Sequence, residues 1–202
     1  MLGRAPAQRL AQRYRREGEV YLIELRLREL RALFNSLDPA PFLDKDLDDE
    51  AERYIVGAVE EFPLRTPLRL VLHAPAAALD DPAAPVLAQA LRSYFDYRAA
   101  HAERDLVSLL RRGRVSLLIG VGFLFACLAA RRVLGRMLTG AWQDILGEGL
   151  LISGWVAMWR PLEIYLYDWW PLARRLGILR KIRDLPVELR TDSGAGEPAA
   201  LG

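Results

Sequence analysis

Six charged residues border or interrupt the most apolar part of this 202-residue chain: Arg131, Arg132, Arg136, Glu148, Arg160 and Glu163. Charge in apolar surroundings is costly, and where it persists it commonly marks an ion or proton path. Three arginines at one mouth of an oligomeric pore would form a charged ring and select anions. The competing reading is local neutralisation, because Arg160 and Glu163 stand one helical turn apart and can pair.

Other constellations carry less chemistry. Asp44, Asp46 and Asp48 alternate as at the start of a calcium loop, but the position that needs Gly is Asp49 and the bidentate Glu position is Ile55. Helix capping explains them better. His73 and His101, the latter with Asp105 one turn on, have only Ser36 and Ser108 as candidate nucleophiles, and nothing matches a base to either. The loop after the first expected strand holds no glycine, so no backbone cradle for a phosphate forms there. Cys127 is the one cysteine and lies inside an apolar run, which excludes an intramolecular disulfide. No catalytic, cofactor-binding or metal residue is assigned, and enzymatic activity is not the expected reading.

The elements that must hold these residues are set by where the apolar residues fall. The chain is 52% hydrophobic and 27% charged, with a net charge of only +2. A soluble domain rarely combines those fractions, so the apolar residues must be concentrated. They are: VSLLIGVGFLFACLAA, Val115 to Ala130, carries no charge. Arg111, Arg112 and Arg114 precede it; Arg131, Arg132 and Arg136 follow. With Val133 and Leu134 this is about one bilayer crossing. Gly122, Ala126 and Ala130, and likewise Ser116 and Gly120, are small residues at four-residue spacing that let helices approach closely.

Upstream, Val20–Leu27 alternates as a half-buried strand, and a short helix is expected over Glu29–Phe34. Pro39 and Pro41 make Asn35–Asp46 a loop. Ala51, Tyr54, Ile55, Ala58, Val59 and Phe62 give a helix its apolar stripe, capped by Asp46 or Asp48. Leu68–His73 reads as a second strand, parallel to the first across this helix. A long helix from Pro82 to Arg112 should run on into the apolar stretch as one rod. Gly135–Gly149 reads as a hairpin connection. Gly149–Trp159 reads as a second crossing, kinked at Pro161, with Ile164–Trp170 as an interfacial aromatic belt. Leu172–Asp184 is a basic amphipathic segment, and Leu185–Arg190 alternates as a third strand.

The expected organisation is therefore a disordered basic N-terminus (1–18), a small cytoplasmic α/β domain of βαβα form (19–112), a transmembrane helical hairpin (113–170), a basic juxtamembrane helix with a C-terminal strand (171–190) and a disordered tail (191–202). Basic residues outweigh at the outer flanks of the hairpin, which places both termini in the cytoplasm.

Two segments, Leu33–Phe42 (LFNSLDPAPF) with Asp46–Asp48 and Tyr54–Val56, and Glu163–Pro171 (EIYLYDWWP), resemble segments of uncharacterised bacterial inner-membrane proteins. The resemblance implies a bacterial inner-membrane protein and carries no activity; the two expected crossings make the expected location multi-pass. The expected partners are anionic lipid headgroups, further copies of the chain and an unidentified cytoplasmic protein, not nucleic acid. The leading functional expectation is a non-enzymatic, membrane-anchored interaction or regulatory protein working as a homo-oligomer. The alternative is a small oligomeric channel or transport component.

Overall fold

The computed structural model describes residues 12–35, 45–78, 81–137 and 140–191. The chain divides into two compact units, residues 1–100 with 176–202 and residues 101–175.

The first unit is mixed α/β around a four-stranded sheet in the order β1 (Arg16–Glu17), β2 (Val20–Arg26), β3 (Leu68–Ala74), β4 (Val187–Thr191). β2 pairs parallel to β3 from Tyr21↔Leu68 to Arg26↔His73, and β3 pairs parallel to β4 from Leu70↔Val187 to Ala74↔Thr191. The parallel pairing follows from the connection, since α1 (Asp49–Glu60) carries the chain back between β2 and β3. Asp48 caps α1, its carboxylate accepting from the N–H groups of Glu50 and Ala51 at 2.9 and 3.3 Å. Asp49, Glu50 and Glu52 fill the first turn, where the helix dipole favours anions. Ile55, Ala58 and Val59 are buried.

Disorder through Gly18 was the expectation, and residues 12–18 depart from it. Gly18 takes a φ of +61°, a conformation that costs other residues, so the chain reverses tightly and β1 pairs antiparallel to β2. Tyr14 is buried with its ring 4.9 Å from that of Phe62, and Tyr21 meets the same ring at 5.1 Å. Burial, with Glu61 beside it, pushes the Tyr14 hydroxyl up to about 12. The segment is too short to show any periodicity in sequence; its order comes from aromatic packing.

The short helix expected over Glu29–Phe34 is a 3-10 turn, Leu30–Leu33, with Leu30 and Leu33 buried. Ser36, the loop prolines, Phe42 and Asp44 lie outside the described residues, as do the expected C-terminal tail after Thr191 and the N-terminal residues before Gln12.

The helix after β3, here α2, runs unbroken from Leu87 to Met137. α3 spans Ala141–Glu163, a π-helical turn covers Ile164–Asp168, and α4 spans Trp169–Arg183. The connection between α2 and α3 is shorter than the sequence suggested: helix continues to Met137 and resumes at Ala141, just after Gly140 at φ +78°. From Leu176 onward α4 belongs to the α/β unit, where Leu176, Ile178, Leu179 and Ile182 are buried. Lys181 Nζ donates to the carbonyls of Pro63 and Thr66 at 3.2 and 2.7 Å, and burial lowers its pKa. The basic segment, from Leu176 on, thus buries its apolar residues in the α/β unit ahead of β4.

In the second unit α2 and α3 run antiparallel, and glycines sit where they touch. A Cβ on Gly113 would lie 2.8 Å from Ile164 Cγ2, one on Gly120 2.9 Å from the Ala157 carbonyl oxygen, and one on Gly154 2.7 Å from Leu124 Cδ1. Gly113, Gly120 and buried Cys127 recur every seven residues on α2, and Gly147, Gly154 and Pro161 do so on α3. A seven-residue repeat keeps one seam in contact along two supercoiled helices. Gly122, by contrast, faces open space, so the four-residue stripe Gly122–Ala126–Ala130 is not the seam of this hairpin. Gly120→Ala should therefore destabilise the helix pair by about 1–3 kcal/mol through overpacking against backbone. Gly122→Ala should be neutral, or stabilising by up to about 1 kcal/mol from helix propensity. Thermal unfolding of the two variants in mild detergent, followed by circular dichroism, checks the contrast.

Candidate functional site

Two surfaces carry the unusual chemistry, one in each unit. In the helical unit the apolar residues point outward. Leu118 is 74% exposed, Ile119 67%, Phe125 65%, Ile152 63% and Val156 67%. The helical stretch Ala84–Met137, α2 with the turn before it, is long and apolar enough to cross a membrane, and only 11% of its most apolar window is buried. Among the described residues no other helix, α3 included, is both long and apolar enough to cross a membrane by itself.

The charged candidates lie at the ends of this apolar girdle. Antiparallel contacts put Gly113 beside Ile164 and Tyr165, and Gly147 beside the Arg131 side chain. Arg131, Arg132 and Arg136 therefore share one end with Glu148, and Arg111, Arg112 and Arg114 share the other with Glu163 and Asp168. Arg160 pairs with Glu163 at 3.1 Å and with Asp168 at 3.3 Å, so two of the six candidate charges, Arg160 and Glu163, have partners of opposite sign. Ser116 lines a groove beside Gly120; Ala126 and Gly122 point away from α3. Trp142 stands exposed near the first end, and Trp159, Tyr167 and Trp170 near the second.

Pro161 has a particular role in the seam. It has no N–H, so the Ala157 carbonyl loses its usual donor one turn on. Gly120 is the residue that approaches that carbonyl, and its Cα–H groups are weak donors of the kind that recur between close helices. The π-helical turn follows directly, and Trp169 Nε1 donates to the Tyr165 carbonyl at 2.8 Å, satisfying a group within that turn. The EIYLYDWWP segment is thus the place where backbone irregularity, aromatic rings and an ion pair coincide.

In the α/β unit, one face of the sheet is charged. Register places Glu24, Val71 and Glu188 in one row and Arg26, His73 and Arg190 in the next. Arg190 grips Glu17 with two bonds of 2.9 and 3.1 Å and Glu188 with one of 2.7 Å. Arg69 reaches Glu188 at 3.0 Å and Glu17 at 3.7 Å, closing a four-membered ring of alternating charge over β1, β3 and β4. Beneath this layer Leu22 and Val71 are fully buried. Hydrogen bonds from Arg190 hold both Glu17 and Glu188 below the usual carboxylate range. His73 Nε2 lies 3.0 Å from Glu24 Oε1 beside the ring, and His101 Nδ1 lies 2.8 Å from Arg104. Each histidine thus has a local polar partner, and His73 belongs to the charged layer of the sheet.

Compared with known proteins, the chain matches no family model, no curated protein and no solved structure. No group of three or more metal-ligating side chains occurs among the described residues.

The sequence reading missed the ring because its members are 173 residues apart at the extreme, Glu17 to Arg190. The one available signal was alternation: Glu188 and Arg190 both fall on one face of a short strand. The ring makes stability depend on pH. Glu17 and Glu188 have lower pKa values folded than the ordinary 4.5, so their contribution is complete above that value and is lost as pH falls through the folded values. The thermal midpoint should drop between pH 6 and pH 3, and the drop should be smaller in Arg190→Gln, which removes the bonds that cause the shift.

Proposed function

We propose that residues 101–175 form a hairpin anchor in a bacterial inner membrane and that the α/β unit is a non-enzymatic interaction or regulatory module held at the cytoplasmic surface, working as a homo-oligomer. The observation that carries this reading is the outward apolar girdle of α2 and α3. Monomeric soluble proteins rarely expose contiguous apolar surface on this scale. An uncharged girdle with arginines at both ends and aromatic rings near each fits lipid as the surrounding solvent. α3 is shorter than α2 and carries Asp144, Glu148, Arg160 and Glu163 within its 23 residues, and packing against α2 supports its insertion. The α/β unit offers a charged sheet face and a five-residue edge strand, β4, as surfaces for a protein partner.

A conduction path has less support. The charged residues sit outside the girdle, and Arg160 is matched by two carboxylates.

In cells making the full chain, the protein should stay in the membrane pellet through an alkaline carbonate wash. With Cys127 replaced by Ala, single cysteines at Gln12 and Thr191 should react with an impermeant maleimide from one side of the membrane and one at Gln143 from the other. Release by carbonate would overturn the anchor; Gln143 reacting from the same side as the termini would overturn the two-pass topology.

A further inference from the structure

A groove of about 610 Å³ runs down the hairpin surface from Arg111 and Arg112 past Ser116 and Ile119 to Phe123, with Gly120 and Ala157 along its course. That volume is of the size that holds small molecules. The small residues matter to its shape: Gly120 has no side chain and Ala157 only a methyl group. The groove is polar at one end only, where two guanidinium groups and the Ser116 hydroxyl gather.

We propose that this groove binds one anionic phospholipid, its phosphate held by Arg111 and Arg112 and one acyl chain laid along Val115, Ile119 and Phe123. The proposal rests on the membrane reading above. Three observations select this occupant. Arg111 and Arg112 form no ion pair with any described residue, whereas the acids at that end of the hairpin, Glu163 and Asp168, are both taken by Arg160. Two arginines without a protein counter-ion match a phosphate that carries no compensating ammonium, and guanidinium binds phosphate bidentately. Second, the contact of Gly113 with Tyr165 sets the arginines level with the aromatic residues after α3, the depth of lipid headgroups. Third, Arg112 to Phe123 is eleven helical residues, about 17 Å. Half of a hydrocarbon core is about 15 Å. The groove therefore reaches from a headgroup to the bilayer midplane, the length of one leaflet, and a second protein helix would have no reason to stop there.

The test uses the full-length chain in mild detergent and native mass spectrometry, with phosphatidylglycerol, phosphatidylcholine and acyl-free glycerophosphoglycerol as probes. The expected result is a single retained phosphatidylglycerol, preferred over phosphatidylcholine. Arg111→Gln with Arg112→Gln should lower that preference by on the order of 25-fold, roughly fivefold for each arginine near an anionic phosphate. Arg111→Lys with Arg112→Lys should keep most of it. Ser116→Trp, which fills the slot and leaves both arginines, should remove the adduct of either lipid. Unchanged circular dichroism confirms that the variants fold. Equal retention of the two lipids, or an adduct untouched by both Gln and Trp variants, overturns the proposal. Retention of the acyl-free probe as strong as that of phosphatidylglycerol overturns the acyl groove and leaves a bare phosphate site. A dimer that excludes lipid also overturns it, by showing a second copy in the groove. A chain that resists carbonate extraction yet shows no lipid preference sinks this inference alone; a chain that needs no detergent sinks the anchor as well.

Discussion

The pairing of β4 with β3 is the contact on which the rest depends. β3 lies between β2 and β4, and β4 is supplied by residues near the far end of the chain. Everything from His101 to Arg175 is therefore an excursion that must leave the α/β unit and return to it. Two antiparallel helices are the shortest way to make such an excursion with every backbone group bonded internally. The same demand, internal satisfaction of backbone polar groups, is what a hydrocarbon environment imposes. Strand pairing in one unit and helical pairing in the other are thus two answers to a single requirement.

Within the α/β unit, the sheet separates its chemistry by parity. Ile23, Leu70 and Leu72 are buried on one side. Glu24, His73, Glu188 and Arg190 occupy the other, where ionic pairs close over Leu22 and Val71. Exposed single ion pairs contribute little, but a closed set that shares partners holds its side chains in place and shields the apolar residues below. This layer also ties β1 to β4, the two edges, through Glu17 and Arg190. Tyr94 adds a second tie, its hydroxyl donating to Glu52 at 2.7 Å while Arg98 meets the same carboxylate at 2.6 Å, which joins α1 to the start of α2. Burial and that carboxylate raise the Tyr94 pKa.

The helical unit inverts the usual arrangement, with its smallest residues inside and its largest outside. Gly113, Gly120, Gly147 and Gly154 are buried in the seam while Leu118, Phe125, Ile152 and Trp155 are exposed. Where the surroundings are themselves apolar, burial of large side chains gains little, and close backbone approach becomes the favourable term. Pro161 and Gly120 meet at the same point of this seam, one by withdrawing a donor from Ala157 and the other by making room at its carbonyl.

Much of the secondary structure was legible locally. The alternation of Val20–Leu27 and Leu68–His73, the apolar stripe of Ala51–Phe62 with Asp48 ahead of it, and the uncharged run Val115–Ala130 each declare an element from spacing alone, because period and charge are properties of neighbours in sequence. The third parallel strand was visible as alternation in Leu185–Arg190, and the structure sets it at Val187–Thr191. What tertiary structure alone decided involves residues far apart. Four-residue spacing suggested Gly122, Ala126 and Ala130 as a packing stripe, but the helix partner selected Gly113, Gly120 and Cys127, because the seam between two supercoiled helices repeats every seven residues and its phase depends on the partner. The ordering of Tyr14 and β1 required Phe62; the ring required strands from both ends of the chain. A sequence states what each segment prefers for itself, whereas contacts between distant segments exist only once the chain has folded, and both candidate surfaces of this protein are made of such contacts.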